Sequence, residues 1–312
     1  NKISAASKAD VIHVVSDEWE TFVRSHCKTQ VIRSHIGINP NDFKAIQPMH
    51  YNKGCFRIGM MGFYPGKYNR KRPDIAIEVF KELKKRKFDF EVVLQGGGWD
   101  QYLPILKENN IPFIQPELKS GKEILRFFEK INLYLCTSDY EGGPLPVIES
   151  LESSIPAIST NVGIARDALQ NGGGFLVKKE DINTICNHIL KLQADNELYN
   201  DLVKQTRSVS QNFHWNNLGN DYEYLYLSTI KEWEHKNSSN WKLKNNELNC
   251  FDQRQKEIDH DYIREELASL SSKSNFKNAY KLFFFVIKNK YFSNFRKVDT
   301  LKKIIITLTY LN

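Results

Sequence analysis

No apolar run in the chain approaches the roughly 18–20 residues that a membrane-spanning helix needs, which excludes a span of that kind within these 312 residues. Cysteine is scarce and dispersed: Cys27, Cys55, Cys136, Cys186 and Cys250 never form a CxxC pair. They read as reduced thiols packed as small hydrophobes, as in a cytoplasmic protein. No metal-ligand spacing is found. A G-x-G-x-x-G fingerprint is also missing, so the glycines at 96–98 make no case for a dinucleotide cofactor. The opening residues lack the apolar core of a signal peptide, so none is expected there. Residues 237–312 hold neither glycine nor proline and read as helices.

What remains is the composition of a globular protein, 41% hydrophobic and 26% charged, long enough for one large or two ordinary domains. The net charge of +7 is unevenly placed. Residues 273–312 hold nine lysines and arginines against one acid, Asp299, a balance of +8, so the other 272 residues sum to −1. The basic character therefore concerns the tail's partner and not the main fold.

Along the chain, short apolar runs alternate with helical patterns. A strand at 11–16 precedes a helix at 17–26 with an acidic first turn. A second strand follows at 30–36, then a turn-rich exit and an aperiodic linker at 45–53. Strands at 56–61, 90–94, 111–114, 131–136 and 155–159 then alternate with helices at 73–85, 101–109, 122–128, 145–151 and 162–169. A turn into a strand at 172–177 and helices at 181–193 and 196–212 complete the series. Such alternation argues for an α/β fold, a Rossmann-like, doubly wound parallel sheet. Ligands in such sheets sit beyond the C-terminal strand ends. The loops after residues 61, 94, 136 and 159 should therefore form one rim. A further helix begins near Phe213 and runs to about residue 234.

The most informative stretch is 133–151. A buried strand runs into a polar, acidic, glycine-bearing turn. Pro144 and Pro146 then suit the first turn of a helix, where a missing N–H costs nothing. Strand, turn and helix N-terminus place free amides and a positive dipole end at one spot, a place for an anion. Glu141 and Glu149 bracket it. Amides for phosphate and carboxylates for hydroxyls suggest a nucleotide linked to a sugar.

Glu141-Gly-Gly-Pro-Leu-Pro-Val-Ile-Glu149 is similar to an E-x7-E motif in its EGxP variant. Residues 155–167, the Asn171-Gly-Gly-Gly-Phe-Leu-Val segment and Phe213-His-Trp follow it at matching spacing. In that order the features resemble the retaining glycosyltransferases of the GT-B fold, family 4, over residues 9–230. The resemblance implies two Rossmann-like domains facing a cleft, with the nucleotide-sugar donor held mainly by the C-terminal one. On that basis the chain divides into the end of an N-terminal acceptor domain and hinge (1–45), a donor-binding domain (46–212), a crossover helix (213–236) and a basic, aromatic helical tail (237–312). Most of the acceptor domain is missing from these residues, so the chain is expected to be the donor half of a longer enzyme.

The resemblance also implies roles. Glu149 would hold ribose hydroxyls, the amides around Gly142, Gly143, Pro144 and Leu145 would face the pyrophosphate or sugar, and Glu141 would meet the donor sugar near the reacting carbon. Lys71 sits where a family lysine grips the diphosphate. The accompanying Gly-Arg pair is Gly62-Phe63 here, a departure for which Arg70, Arg72 or Lys67 could substitute. Cations there neutralise the departing nucleotide. Catalysis is assigned to Glu141 and Lys71, and donor binding to Arg70, Lys71, Gly142, Gly143, Pro144, Leu145 and Glu149. No cofactor and no metal are expected beyond the nucleotide-diphosphate sugar itself, and the leaving phosphate would serve as base. Asp259-His-Asp261, formally a DxD, reads as a surface charge cluster.

The expected reaction is sugar transfer with retention to a glycan or lipid-linked acceptor in surface polysaccharide or glycoconjugate synthesis. The alternatives are a non-catalytic nucleotide-sugar-binding module and a GT-B-fold epimerase. The tail combines lysines with Tyr280, Phe283, Phe284, Phe285, Tyr291, Phe292 and Phe295, which suits either an anionic membrane surface, at the cytoplasmic face, or a protein partner. Nucleic acid is not expected, since no recognition motif accompanies the charge.

Overall fold

A computed structural model describes residues 9, 11–49, 51, 54–64, 69–117, 119 and 121–236. The chain divides into two compact units, residues 1–229 and 230–312; the following concerns the first. The expectations for Lys67 and for the tail beyond residue 236 lie outside the described residues.

The first strands, β1 (Val11–Val14) and β2 (Gln30–Arg33), pair in parallel around helix α1 (Asp17–His26). The helix starts where the sequence places it because the Ser16 hydroxyl caps it by accepting from the Trp19 amide, with three acids in the first turn to complement the dipole.

Six parallel strands form the main sheet: β3 (Phe56–Met61), β4 (Phe90–Gln95), β5 (Phe113–Glu117), β6 (Leu133–Cys136), β7 (Ala157–Thr160) and β8 (Gly174–Val177). Their order is β5-β4-β3-β6-β7-β8, so connections run outward from the centre in both directions and the sheet reverses between β3 and β6. That reversal is where a doubly wound sheet opens a crevice. The sheet is covered on both faces. Leu133 and Leu135 join one core cluster with Ile58, Val79, Phe80 and Ile185, while Tyr134 and Cys136 join the other with Val147, Ile148 and Phe127. Alternate residues of one strand thus reach opposite cores, which is why β6 reads as a continuous apolar run.

The covering helices are α2 (Pro73–Lys85), α3 (Leu103–Glu108), α4 (Leu145–Glu152), α5 (Gly163–Leu169), α6 (Ile182–Ala194) and α7 (Asn196–Ser210), followed by α8 (Trp215–Lys236), whose Tyr222 meets His13 and the carbonyl of His35. Several elements differ from expectation: β1 and β2 end two and three residues early, β6 and β7 start two residues late, and two further differences have a visible cause. The segment Gly121–Lys130 is 3-10 and not α. Its buried Leu125 and Phe128 lead to Ile131 at a spacing of three, the period of that tighter helix. Strand β5 starts two residues late because Asn110, at φ +52°, and a hydrogen bond from the Ile111 amide to the Leu106 carbonyl still close α3. The exit from β2 meets the start of α8: the Ile38 amide bonds the Phe213 carbonyl at 2.8 Å, and the Trp215 amide bonds the Ile38 carbonyl at 3.0 Å.

Candidate functional site

The loops after β3 and β6 meet at the sheet reversal. Lys71 Nζ lies 2.9 Å from Glu141 Oε1, and Arg70 Nη1 pairs with the other carboxylate oxygen. The Ser138 hydroxyl donates to Oε1 at 3.2 Å. Glu141 is buried, with its side chain 6% exposed. Burial opposes its ionisation, but the charges of Lys71 and Arg70 outweigh that cost and hold its carboxyl below the ordinary range. The lysine stem reaches across Gly62, where a Cβ would stand 2.9 Å from Lys71 Cδ and 3.1 Å from Tyr64 Cζ. A residue without a side chain at 62 therefore gives Lys71 its path.

The loop backbones are joined as well. The Asp139 amide donates to the Arg70 carbonyl at 2.7 Å. The Thr137 hydroxyl lies 3.0 Å from the Lys71 carbonyl and 2.9 Å from that of Arg72.

Within the turn, Pro144 has no amide proton and the Leu145 amide is held by the Gly143 carbonyl at 2.7 Å. Among the described residues, no hydrogen bond takes the amides of Gly142 or Gly143. Of the four positions expected to face a phosphate, these two supply the open donors. Helix α4 begins beside them, with its dipole aimed at the same place. Glu149 lies one turn along that helix. Among the described residues no hydrogen bond or ion pair meets its carboxylate, and burial alone pushes its pKa up to about 7. An unpaired, desolvated carboxylate is an acceptor with capacity for hydroxyl donors.

The basic residues separate into two groups. Arg70 and Lys71 face Glu141. Arg72 does not: its guanidinium is taken by Asp74, Asp139 and Glu180, at 2.8, 3.0 and 2.7 Å. Those hydrogen bonds, Asp74's foremost, push Arg72 still further above its usual range. Phe63, at the departure from the Gly-Arg pattern, is 66% exposed and brings no charge. Of the three candidate substitutes for that arginine, Arg70 is the one the described residues bring to the site.

Residues 15–36 contribute contacts that the sequence reading did not single out. Trp19 Nε1 donates to the Glu141 carbonyl at 2.8 Å. The Gly163 amide donates to Glu18 Oε2 at 2.7 Å, and the Asp17 amide to Asp167 Oδ2 at 3.1 Å. Ile36 packs over Gly143, where a Cβ would stand 2.9 Å from its Cδ1. His35 places Nδ1 3.0 Å from the Val15 carbonyl and 3.6 Å from Asp167. Its role is to join these elements. Among the described residues, no group of three or more histidine, cysteine or acidic side chains is placed to hold a metal ion, and no helix is long and apolar enough to cross a membrane.

Residues 61–209 match the family model for glycosyl transferases group 1. The chain is 26% identical over 215 residues to an uncharacterised glycosyltransferase of Methanocaldococcus jannaschii, covering 68% of this chain and 57% of that one. It is 29% identical over 169 residues to the capsular polysaccharide biosynthesis glycosyltransferase CapM of Staphylococcus aureus, covering 51% and 43%. The chain spans about half the length of the curated relatives it matches. Among solved structures, the sucrose-phosphate synthase of Thermosynechococcus elongatus superposes with a TM-score of 0.61 at 20% identity, over 74% of this chain and 61% of that one; this likeness concerns the fold. Residues 61–209 are thus similar to that family, and both relatives carry the name glycosyltransferase.

Proposed function

We propose that this chain, whose residues 61–209 match the family model for glycosyl transferases group 1, is the donor-holding half of a retaining enzyme that uses a nucleotide-diphosphate sugar. The observation that carries the reading is the meeting of Lys71 and Arg70 with Glu141 at the sheet reversal, beside the open amides of Gly142 and Gly143. An ammonium has three donors and Glu141 takes one, which leaves two for phosphate oxygens. Arg70 adds a planar guanidinium. These charges and the helix N-terminus stabilise the negative charge that builds on a departing diphosphate, the largest demand of such a transfer. They stand in the place a metal ion takes in other transferases. Glu149 accepts the ribose hydroxyls, and Glu141 meets the sugar close to the carbon that reacts.

The acceptor proposed for the whole enzyme is a glycan or lipid-linked acceptor in surface polysaccharide or glycoconjugate synthesis; the CapM relative's name assigns that protein to capsular polysaccharide biosynthesis. The basic tail, 273–312, would bring the enzyme to the anionic cytoplasmic face of a membrane. Co-sedimentation with anionic liposomes tests that part, and equal pelleting without residues 273–312 would remove it.

The donor site is tested by a thermal-shift screen of this chain against UDP, GDP, ADP, dTDP and their sugars. The expected result is a shift selective for one base, lost in Glu149→Ala and Lys71→Ala. No shift with any of them overturns the donor-site reading. Retention is tested by NMR of the anomeric configuration produced by the full-length enzyme.

A further inference from the structure

We infer that Arg72 is the positioning residue of the diphosphate grip: its guanidinium ties together the loops after β3, β6 and β8, and so holds Lys71 opposite Glu141. The inference rests on the donor-site reading above and goes beyond it by assigning a residue that touches neither phosphate nor sugar.

Three observations carry it. Arg72 has a left-handed backbone, φ +48° and ψ +56°, immediately before α2. A non-glycine residue rarely adopts that conformation unless its surroundings enforce it. Here the enforcement is visible. Nε and Nη2 hold Asp74 in the first turn of α2, Nη1 holds both oxygens of Asp139 at 3.0 and 3.1 Å, and Nη1 also reaches Glu180 at 2.7 Å. Each acid belongs to a different segment: α2, the β6–α4 loop and the β8–α6 loop. Finally, Asp139 stands two residues before Glu141, and Lys71 immediately precedes Arg72. The guanidinium therefore fixes both ends of the Lys71–Glu141 pair through one backbone step on one side and two on the other. Arg72 and Asp139 are 16% and 20% exposed, so that pair is less screened than a surface pair, while Asp74 and Glu180, at 55% and 60%, hold the arginine from the solvent side.

Glycine accepts the same backbone without strain. Arg72→Gly therefore removes the clamp while relaxing the chain, and is the variant of choice; Asp139→Asn breaks the clamp from the other side with residue 72 unchanged. Two readouts on the full chain separate this inference from the donor-site reading. The first is the ¹³C NMR titration of the Glu141 carboxyl, assigned by comparison with Glu141→Gln. Its midpoint should rise by about half a pH unit or more in both variants as Lys71 loosens. The second is the affinity for whichever of UDP, GDP, ADP or dTDP the unaltered chain binds, by calorimetry; it should fall about tenfold in each variant. The double variant should lose no more than the worse single one, and Arg72→Lys should recover part of the loss. An unmoved Glu141 midpoint in Arg72→Gly overturns the positioning role, as does unchanged affinity. If the unaltered chain binds none of the four nucleotides, the donor-site reading falls, and the titration alone decides what Arg72 does.

Discussion

Lys71 and Glu141, 70 residues apart in sequence, meet at 2.9 Å where the central sheet reverses. The pair joins the loop after β3 to the loop after β6, the two strands from which the sheet grows in opposite directions. Its members are a largely buried carboxylate and a cation with donors to spare, so it serves stability and ligand recognition together.

Lys71→Met removes one of two cations from Glu141 and leaves Arg70 in place. The expected cost is on the order of 1–3 kcal/mol, below the 3–5 kcal/mol of fully orphaning a buried charge. The sign of the pH dependence follows from the lowered Glu141 pKa. The pair's contribution is present above the unfolded value of 4.5 and is lost as pH falls through the folded value. Thermal melts at pH 7 should therefore separate the variant from the unaltered chain, and the gap should close in strong acid. A gap of the same size at pH 3 would contradict this account.

Gly163 stands against the turn at Glu141. Its φ is +46°, and a Cβ there would lie 2.6 Å from the Glu141 carbonyl oxygen and in collision with that of Gly142. Gly163→Ala should cost on the order of 2–4 kcal/mol, from left-handed strain and overpacking combined. Gly121 is the control, since it has a similar φ of +57° and open space around it. Gly121→Ala should cost only the backbone part, about 1 kcal/mol. Equal losses in chemical denaturation would show that the collision with the turn has no weight.

The fold was largely readable in the sequence because its signals are local. The acidic first turn marks α1, and the apolar runs at 56–61 and 90–94 read as strands. The alternation of the two patterns implies the parallel sheet, and Glu141 to Glu149 lies at a strand–turn–helix junction by its own composition. The site was readable to the level of that junction and of Lys71. It was not readable which cation would accompany Lys71, because a loop with several basic residues carries no local sign of which acid each will meet. Arg72 is the clearest case: its three partners lie at 74, 139 and 180, and only the assembled rim brings them together. The contacts of Trp19 with the turn and of Glu18 with the start of α5 are of the same kind, set by packing between elements more than 100 residues apart.

Trp19→Phe keeps an aromatic ring beside Phe22 and removes the Nε1–H that meets the Glu141 carbonyl. The loss of one partly buried hydrogen bond should cost about 1 kcal/mol. The more specific consequence is local. The Gly142 carbonyl accepts from the Ile164 amide at 3.3 Å, and this bond depends on the turn keeping its place. Hydrogen exchange at Ile164 should accelerate more than exchange at core amides of β4, the pattern of local opening. Uniform acceleration across the unit would instead mean that Trp19 acts only on global stability.

Glu149 gives the sharpest pH signature. Its folded pKa, about 7, lies above the ordinary value of 4.5 because burial disfavours the carboxylate. Between these values the folded state binds the proton more tightly than the unfolded state, so the contribution of this group to stability falls as pH rises. The penalty is absent below about pH 4.5 and complete above about pH 7. Glu149→Gln, which cannot ionise, should therefore melt higher than the unaltered chain at pH 8, by roughly 2–4 °C for each kcal/mol relieved, and gain little at pH 4.5. The same substitution should weaken nucleotide-sugar binding, because an amide accepts hydroxyl donors less strongly than a carboxylate. In the unaltered chain, affinity for a nucleotide sugar, whose diphosphate does not titrate in this range, should rise with pH through about 7 as Glu149 ionises. A variant that is stabilised at pH 8 and binds less well is the expected pair of outcomes. Stabilisation with unchanged affinity would remove Glu149 from the donor site and leave it a half-buried carboxylate that only costs stability.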